Sequence, residues 1–436
     1  MGILIIPLVG FLALGFEVSN WYMITRGMQN AADAATLAAA INNSANYDVE
    51  ARAVAAQYGF VNGANNITIT VTNTAACPGG GSNCYSVGIS GYTPLLLSQV
   101  VGFQGAGNIN GSLQKQLGAV AVAKAATQPQ DLCLLALASS GTTPAINTNG
   151  APTGNMNGCD SMSNTAASCS GHDLGLGISF AVGSNSGCGL QQMQNPAMAD
   201  PYIARVTSNM NGWPSANTQC PGGFPQESKH GNSYTGGNPW NGPINLPSNL
   251  ATNNTYYYCG DQELTGDVTV TTPASGAVIV IENGRLDTNG HVFRTASGSF
   301  LTIVFTGDNG GGYMHGPADL TNGPGGAINI TAPTSGPWSG IAIVQDPNLT
   351  TGLDVAAAGN SPTWDITGLI YMPHASITLK GAIDKSTNGN QCVVLVADNF
   401  QISGNGGILK TDIGGCPAAG LTMPTATIPG TTKLVL

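Results

Sequence analysis

The sequence predicts an α+β chain with a long amino-terminal helix, a small antiparallel sheet and a mainly-β remainder. Residues 1–41 are apolar and then alanine-rich, which predicts a membrane-embedded helix that continues as a stem. Residues 42–127 contain alternating strand-like runs. From residue 256 to 416, short β-branched runs recur between Gly, Asn and Thr. This pattern favours a right-handed parallel β-helix, with a β-sandwich or jelly roll as the alternative.

The apolar run Ile3–Phe16 is the strongest membrane signal in the chain. A helix needs about 20 apolar residues to cross the hydrocarbon, so the span must extend toward the aromatic residues beyond Glu17. Glu17 would then lie at the head groups as an interfacial charge. The alternative is a buried hydrophobic helix of a soluble domain. The predicted anchor comprises Ile3, Pro7, Phe11, Leu14, Glu17, Trp21 and Tyr22.

The region after the stem predicts a helix and an antiparallel sheet. Residues 49–60 have helical periodicity, and residues 66–73 (NITITVTN) alternate as a half-buried strand. Residues 84–92 are the expected antiparallel partner across a Gly-rich loop. Residues 94–101 predict a short helix, and residues 117–124 a third strand. The sheet is expected to pack on the alanine face of the stem.

Composition excludes a nucleic-acid-binding protein and favours an extracytoplasmic one. Only 8% of the 436 residues are charged, the net charge is −10, and the 12 Lys and Arg residues are scattered singly. Binding to phosphate backbones requires a basic patch, and this sequence has none.

The cysteines predict disulfides in an oxidising compartment. Their number is even and none forms a C-x2-C pair, which argues against a zinc ribbon or a thioredoxin-type motif. The sequence does not fix the connectivity, and free buried thiols are the alternative. We expect Cys77–Cys84 and Cys392–Cys416 to close local loops and the rest to pair in chain order: Cys133–Cys159, Cys169–Cys188 and Cys220–Cys259.

Residues 128–255 are rich in Gly, Asn and Ser and predict irregular coils pinned by disulfides. Within them, residues 174–182 are a strand candidate and residues 198–210 a helix candidate. Residues 417–436 predict a carboxyl-terminal tail. The β runs of the last large region are residues 268–270, 278–281, 301–305, 328–330, 341–344, 366–371, 377–379 and 393–396.

The chain has few candidates for catalysis. Glycan-cleaving sites need clustered carboxylates, or carboxylates with a basic residue. The candidates fall in separate coils, and the run from Asp287 to His291 also fits a plain turn. We therefore predict that the protein is not an enzyme and needs no cofactor or metal. The candidates are Asp287, His291, Arg294, Asp308, Asp319, Asp346 and Asp365.

The stem resembles a known family. The block WYMITRGMQNAADAATLAAA (residues 21–40) follows an apolar run that contains Pro7 and Glu17. It resembles the amino-terminal segment of the TadE/TadG-like Flp (tight adherence) pilus-assembly family. The abrupt start departs from the family, whose members carry charged residues before the apolar run, and one expectation is that the true start lies upstream. The family motif maps onto Arg26, Gln29, Ala31, Ala32, Asp33 and Leu37.

The resemblance places the chain in the TadG-like branch. Segments 338–346, 366–382 and 392–407 also resemble the carboxyl-terminal halves of these proteins. Some members carry a von Willebrand A domain with a metal-binding Asp, but that position here is Ala138, so the resemblance implies no metal site. Type IV pilins are cut before their apolar helix, whereas here the apolar run precedes Glu17 and the anchor is expected to be kept. Glu17 could instead dock against another subunit.

The resemblance implies a non-catalytic, membrane-anchored component of a Tad/Flp-type pilus assembly or secretion system. It implies a location in the bacterial inner membrane, with a large periplasmic or extracellular domain that serves assembly or adhesion. The expected partners are the inner membrane, other pilus-assembly subunits and further copies of the chain, but not nucleic acid. A membrane-tethered carbohydrate-binding or carbohydrate-active β-helix is the alternative, with a surface glycan as partner. Clustering of Asp287, Asp308 and Asp319 on one face would favour that alternative.

Overall fold

The structure is a computed structural model that forms two compact units. The first comprises residues 1–129 and 427–436, and the second residues 130–426. The residues described are 2–42, 46–78, 83–109, 111–125, 127–140, 143–150, 153–156, 158–230, 233–310, 312–318, 326–350, 353–357, 363–379, 382–385, 392–403, 408–410, 413–429 and 432–435; side chains 2–13 are not described.

The first unit is a long helix packed on a small antiparallel sheet. The sheet order is β1-β2-β4-β3. This confirms the predicted single amino-terminal helix and antiparallel sheet. The elements are α1 (Gly2–Asn42), α2 (Tyr47–Gln57), β1 (Thr68–Ala75), β2 (Cys84–Pro94), a 3-10 helix (Ser98–Val101), β3 (Asn108–Ile109) and β4 (Ser112–Lys124).

Alanine side chains let α1 approach the sheet closely. Ala31, Ala32 and Ala35 are fully buried and belong to one apolar cluster with Val87 and Ala121 of the sheet. The alternation in β2 and β4 turns every second side chain toward the helix, and methyl groups leave little space between the backbones. The alanine-rich half of α1 is therefore a packing face rather than a solvated stem.

The second unit is built mainly from short strands. Two short helices interrupt them, α3 (Ile203–Met210) and α4 (Ala216–Gln219). The strands before α3 are β5 (Thr127–Ala136), β6 (Ile146–Asn149), β7 (Thr153–Asn155), β8 (Asp160–Ser163), β9 (Ala167–Cys169), β10 (Ile178–Ala181), β11 (Asn185–Ser186) and β12 (Gln191–Gln194).

A second series of strands follows α4. These are β13 (Ser228–His230), β14 (Ser233–Thr235), β15 (Asn238–Asn245), β16 (Thr255–Cys259), β17 (Gln262–Thr271), β18 (Ala277–Glu282), β19 (Leu286–Asp287), β20 (Val292–Thr295), β21 (Leu301–Thr306), β22 (Pro317–Ala318), β23 (Ala327–Thr331), β24 (Ile341–Gln345), β25 (Leu353–Ala357), β26 (Thr363–Leu379), β27 (Ala382–Lys385), β28 (Val393–Ser403), β29 (Ile408–Lys410) and β30 (Thr425–Pro429).

Strands of the second unit pair in parallel with strands that lie further along the chain. One ladder runs β16–β18–β21–β24–β26–β28, and a second runs β15–β17–β20–β23–β26–β27–β29. Each pairing brings a later segment into register beside an earlier one, for example Ile279 beside Ile303 and Phe293 beside Ile328. The core lies between the two ladders, where alternate apolar side chains such as Ile281, Phe305 and Trp364 are buried.

The order of strands in the stack differs from the order in the chain. β28 pairs in parallel with β5, and β5 pairs with β8, which pairs with β10. A strand near the carboxyl terminus therefore lies beside the segment that follows residue 130.

The expectation of irregular coils over residues 128–255 is wrong for much of that region. Strands β5–β12 lie there, and the candidate strand and helix correspond to β10 and α3. Apart from β5, these strands hold two to four residues each, which is too short for alternation to show in the sequence.

The end of the chain returns to the first unit. The residues predicted to form a tail include β31 (Lys433–Leu434), which pairs antiparallel with β4 beside Lys124 and Ala123.

Five disulfides join the ten cysteines. They are Cys77–Cys84, Cys133–Cys159, Cys169–Cys188, Cys220–Cys259 and Cys392–Cys416, the pairing expected from the sequence. All but the first lie in the second unit.

Candidate functional site

The motif residues of the stem lie on one stretch of α1, and several contact the sheet. Ala31 and Ala32 are buried against it, while Leu37 packs at the edge of the same cluster. Gln29 Nε2 donates to Asp33 Oδ1 at 2.8 Å and to the Val120 carbonyl of β4 at 3.3 Å. These side chains therefore hold the helix on its sheet.

Arg26 and the two aromatic residues lie nearer the apolar end of α1. Arg26 Nη1 donates to the hydroxyl of the exposed Tyr22 at 3.3 Å. Trp21 was predicted at a membrane interface, but its ring lies 5.9 Å from that of Phe103, and Lys115 Nζ lies 5.1 Å from its centroid. The cation–π contact with Lys115 fixes Trp21 against the first unit. Tyr22 is thus the more accessible of the two.

Glu17 binds a loop of its own unit. Its carboxylate accepts backbone hydrogen bonds from Leu96 (2.8 Å), Leu97 (2.9 Å) and Ser98 (2.6 Å), and one from the Ser98 hydroxyl (3.1 Å). These donors lie where the 3-10 helix begins, and backbone N–H groups there are otherwise unsatisfied. Glu17 is only 2% exposed. It is therefore a buried cap of this loop, not the plain interfacial charge that was expected.

Glu17→Gln should loosen this loop. An amide offers one acceptor oxygen where the carboxylate offers two, so at least one N–H loses its partner, at about 1–3 kcal/mol. We expect hydrogen exchange at residues 96–98 to accelerate about tenfold or more, measured by mass spectrometry on the full chain. Ser98→Ala, which removes only the hydroxyl bond, is the control and should change exchange less. Equal exchange in wild type and Glu17→Gln would show that the carboxylate does not hold the loop.

The side chains of the second unit that were predicted as candidates for catalysis fall into two groups, which differ in whether they line a cavity. Asp287 Oδ1 accepts from the backbone N of Asn289 at 2.9 Å in a local turn. His291 lies 3.8 Å from Asp267, and Arg294 Nε donates to Thr269 at 3.1 Å, both near the surface. Asp365 lies on β26 and Asp319 lies outside the described residues. Of the four whose positions are described, none lines the cavity described next.

Asp308 and Asp346 line a cavity of about 730 Å³ beneath residues 198–221, which we call the cover segment. This segment contains α3 and α4 and lies over the outward face of β18, β21 and β24. Arg205 anchors it by donating to the carbonyls of Pro337 (2.9 Å) and Ser339 (2.8 Å). The Cys220–Cys259 disulfide fixes its far end to β16.

Glu282 is the residue that sequence reasoning missed. It ends β18, where Ile279 and Ile281 point into the core and Glu282 has the opposite parity. Its side chain is only 2% exposed and lines the cavity. The sequence signal that could have identified Glu282 is a single acidic residue at the end of the apolar run AVIVIE.

The cavity concentrates negative charge. Burial, and then Asp308 and Asp346, raise the pKa of Glu282 to about 7. Burial lowers the pKa of the neighbouring His315 to about 4, so this imidazole is neutral at pH 7. Asp346 accepts a hydrogen bond from Thr306 at 2.6 Å, and Asp308 one from Asn283 at 3.1 Å. No Lys or Arg is among the described residues that line the cavity.

The free energy of unfolding should decrease as pH rises from about 4.5 to about 7, the range between the pKa of Glu282 in the unfolded and in the folded state. The folded protein keeps the Glu282 proton up to about pH 7, whereas the unfolded chain loses it near the ordinary glutamate pKa of 4.5. The unfolded state therefore binds fewer protons between these values, and the free energy of unfolding decreases. At pH 8, Glu282→Gln should stabilise the second unit by about 2 kcal/mol, and this gain should shrink as pH falls from 7 and be largely lost by pH 5.

Urea unfolding of both proteins at pH 5 and pH 8 tests this expectation. Asp267→Asn, which changes an exposed carboxylate, is the matched control and should show no such dependence. A Glu282→Gln effect of the same size at both pH values would contradict it.

The comparisons with known proteins bear on the stem. Residues 1–44 match the family model described as putative Flp pilus-assembly TadE/G-like. The amino-terminal segment is TadE/G-like. This confirms the resemblance that the sequence indicated, over about a tenth of the chain. No curated protein and no solved structure matches the chain.

The TadE/G-like segment indicates an envelope-associated role in Flp pilus assembly. Over the part of the chain whose side chains are described, no helix meets the length and apolarity needed to cross a membrane. The predicted anchor residues Ile3, Pro7 and Phe11 lie outside the side chains described. Within the described ranges, no group of three or more His, Cys, Asp or Glu side chains is arranged to hold a metal ion.

Proposed function

We propose that this protein is a non-catalytic, membrane-anchored component of a Tad/Flp-type pilus assembly or secretion system. The observation that carries the proposal is the TadE/G-like match over residues 1–44, which coincides with α1. Its partners would be the inner membrane, other pilus-assembly subunits and further copies of the chain.

Membrane attachment would use the apolar start of α1. Residues 3–16 are uninterruptedly apolar in sequence. Beyond them, Phe16, Tyr22 and Met23 are well exposed on the helix surface, although the rest of the helix packs on the sheet. Leu96 of the Glu17-bound loop is also exposed nearby in the same unit. Large exposed apolar side chains of this kind mark interaction surfaces, here with lipid or a neighbouring subunit. The anchor would comprise Ile3, Pro7, Phe11, Leu14 and Tyr22, with Glu17 and Trp21 as its boundary.

The second unit would be a right-handed parallel β-helix that projects from the membrane. Parallel pairing between strands such as β18, β21, β24, β26 and β28 supports this, because a sandwich pairs its strands mainly antiparallel. The hairpin of β13 and β14 is antiparallel. Five disulfides support an oxidising location such as the periplasm or cell surface. The proposed domains are residues 1–41, 42–127, 128–255, 256–416 and 417–436, with the third contributing rungs to the fourth.

Cell fractionation of a full-length, carboxyl-terminally tagged chain tests the proposal. We expect the intact chain in the membrane fraction, slower migration after reduction, and cleavage by protease added to spheroplasts. Replacing Ile3, Phe11 and Leu14 by serine should release it from the membrane, while the same change at the buried Ala31, Ala35 and Ala39 should not. Recovery in the cytoplasm with free thiols would overturn the membrane and pilus assignments together.

A second candidate function is a tethered carbohydrate-binding or carbohydrate-active protein. The observation that favours it is the cavity beneath the cover segment, where Asp308 and Asp346 come together with Glu282. Asp287 is not part of this group and Asp319 lies outside the described residues, so the carboxylates that meet here are not the set that the sequence analysis named for this alternative.

A further inference from the structure

Glu282 has the environment of a ligand-binding group rather than of a structural one. It is 2% exposed and lines the cavity, yet none of the described residues forms a hydrogen bond with its carboxylate. Burying an unpaired polar group destabilises a fold. The buried Asp261 of the same unit has partners on both oxygens, because it accepts from the backbone N–H groups of Glu227 (2.8 Å) and Arg285 (3.0 Å). An acceptor kept unpaired in an accessible cavity is available to a donor from outside.

A second cavity lies beside the first, and Trp213 lines both. The first cavity has a volume of about 730 Å³ and the second a volume of about 480 Å³. Tyr257 and Trp338 line the second cavity, and their ring centroids lie 6.0 Å and 5.9 Å from that of Trp213. The second cavity contains no charged residue among its described lining. The two cavities are adjacent and share the lining residues Ser208, Gly212, Trp213 and Pro214. We call the pair the groove: its first half is acidic, and its second half is aromatic and neutral.

The lining narrows the chemistry of the ligand. Above pH 7, where Glu282 is ionised, its carboxylate can only accept hydrogen bonds, so the ligand must donate to it, and the same holds for Asp346 when it is ionised. Asn211 and Ser215 of the cover segment and Asn348 can both donate and accept. Trp213 offers a flat apolar face beside these polar groups. A ligand with many hydroxyls and an apolar ring face satisfies all three requirements.

We propose that this groove binds a short neutral oligosaccharide, with Glu282 and Asp346 accepting hydrogen bonds from hydroxyls of one sugar unit and Trp213 stacking on the next. The groove volume suits several sugar units in a row. This inference goes beyond the pilus-assembly proposal and deepens the second candidate function by naming the ligand-binding side chains.

A cationic ligand fits the groove less well. The carboxylates lie at one end only, and the remainder presents aromatic rings and neutral amide and hydroxyl groups. A polyamine or basic peptide would leave this neutral half without charge complementarity. A neutral glycan uses both halves, and its hydroxyls avoid the cost of burying a further charge.

An array of neutral hexasaccharides, including cellohexaose, laminarihexaose and chitohexaose, tests the proposal with the full chain in detergent. Spermidine and oligolysine are the cationic probes. We expect binding of at least one neutral hexasaccharide, followed by isothermal titration of that sugar. Glu282→Gln and Trp213→Ala should each weaken binding about tenfold or more, because they remove a charge-assisted hydrogen bond and the stacking face. Asp267→Asn, a change at an exposed carboxylate away from the groove, should leave the dissociation constant unchanged.

Glu282→Gln separates a binding role from a structural one. It should weaken sugar binding while raising stability at pH 8, so a loss of binding cannot be assigned to misfolding. Two results would overturn the proposal: no neutral hexasaccharide binds, or binding is confined to the cationic probes. Neither result affects the membrane fractionation that tests the pilus-assembly proposal, so the two can fail separately.

Discussion

Replacing Arg285 by leucine should destabilise the second unit by about 3–5 kcal/mol, the expected cost of leaving buried charges unpaired. Arg285 Nη2 lies 2.8 Å from Glu227 Oε2 and 3.3 Å from Asp261 Oδ2, and Nε also donates to Glu227 at 2.8 Å. All three side chains are nearly buried. Without the guanidinium, two carboxylates would face each other in a low-dielectric environment. Urea unfolding at pH 8 measures the loss.

Two further variants isolate the buried pair. Arg294→Leu is the matched control, because Arg294 is exposed and binds only Thr269 among the described contacts, so its loss should fall within about 0.5 kcal/mol. Arg285→Leu combined with Glu227→Leu should recover much of the stability, since Asp261 keeps its backbone donors from Glu227 (2.8 Å) and Arg285 (3.0 Å). Equal effects of Arg285→Leu and Arg294→Leu would contradict a role for the buried pair.

Removing the Cys220–Cys259 disulfide should give the second large effect. The two cysteines are 39 residues apart, and a cross-link over such a loop stabilises a fold by about 4 kcal/mol in the chain-entropy treatment. The bond also fixes the end of the cover segment. We therefore expect Cys220→Ser with Cys259→Ser to lower stability and to expose residues 203–219 to protease, measured by urea unfolding and limited proteolysis.

The disulfide of the first unit provides the control. Cys77 and Cys84 are only 7 residues apart, so their joint replacement by serine should cost about 2–3 kcal/mol and leave the cover segment resistant to protease. A Cys220/Cys259 variant that loses no more stability than the Cys77/Cys84 variant, and whose cover segment stays intact, would argue against this role.

The sequence was most informative where one face of an element is buried. The alternation of residues 66–73 and 84–92 predicted the hairpin that the structure forms as β1 and β2. The alanine face of α1 was predicted as the side that meets the sheet, and Ala31 and Ala35 lie there. The apolar runs from residue 268 to 396 likewise lie on strands, and the core draws its apolar side chains from them. Such patterns are visible because burial repeats with the period of the element.

The candidate site could not be read in the same way. Glu282, Asp308 and Asp346 come from three successive segments, and only parallel stacking brings their strands side by side. The cover segment reaches the same face from residues 198–221 through Arg205 and a disulfide. Glu17 was singled out, but its partners at residues 96–98 are backbone N–H groups, which leave no trace in side-chain composition. Long-range assembly and main-chain chemistry account for these misses.

The pairing of β28 with β5 has a consequence for how the chain reaches its native state. Leu395 lies beside Leu134 in this pair, so the contact joins two residues whose synthesis on the ribosome is separated by about 260 residues of chain. Until β28 has been synthesised, the edge of β5 that pairs with it presents unpaired backbone groups that other chains can join. Contacts of such high sequence separation slow folding and lengthen exposure of that edge. A nascent chain of this protein should therefore depend on a holding chaperone until its synthesis is nearly complete, and truncation before residue 393 should yield aggregates rather than a shorter stack.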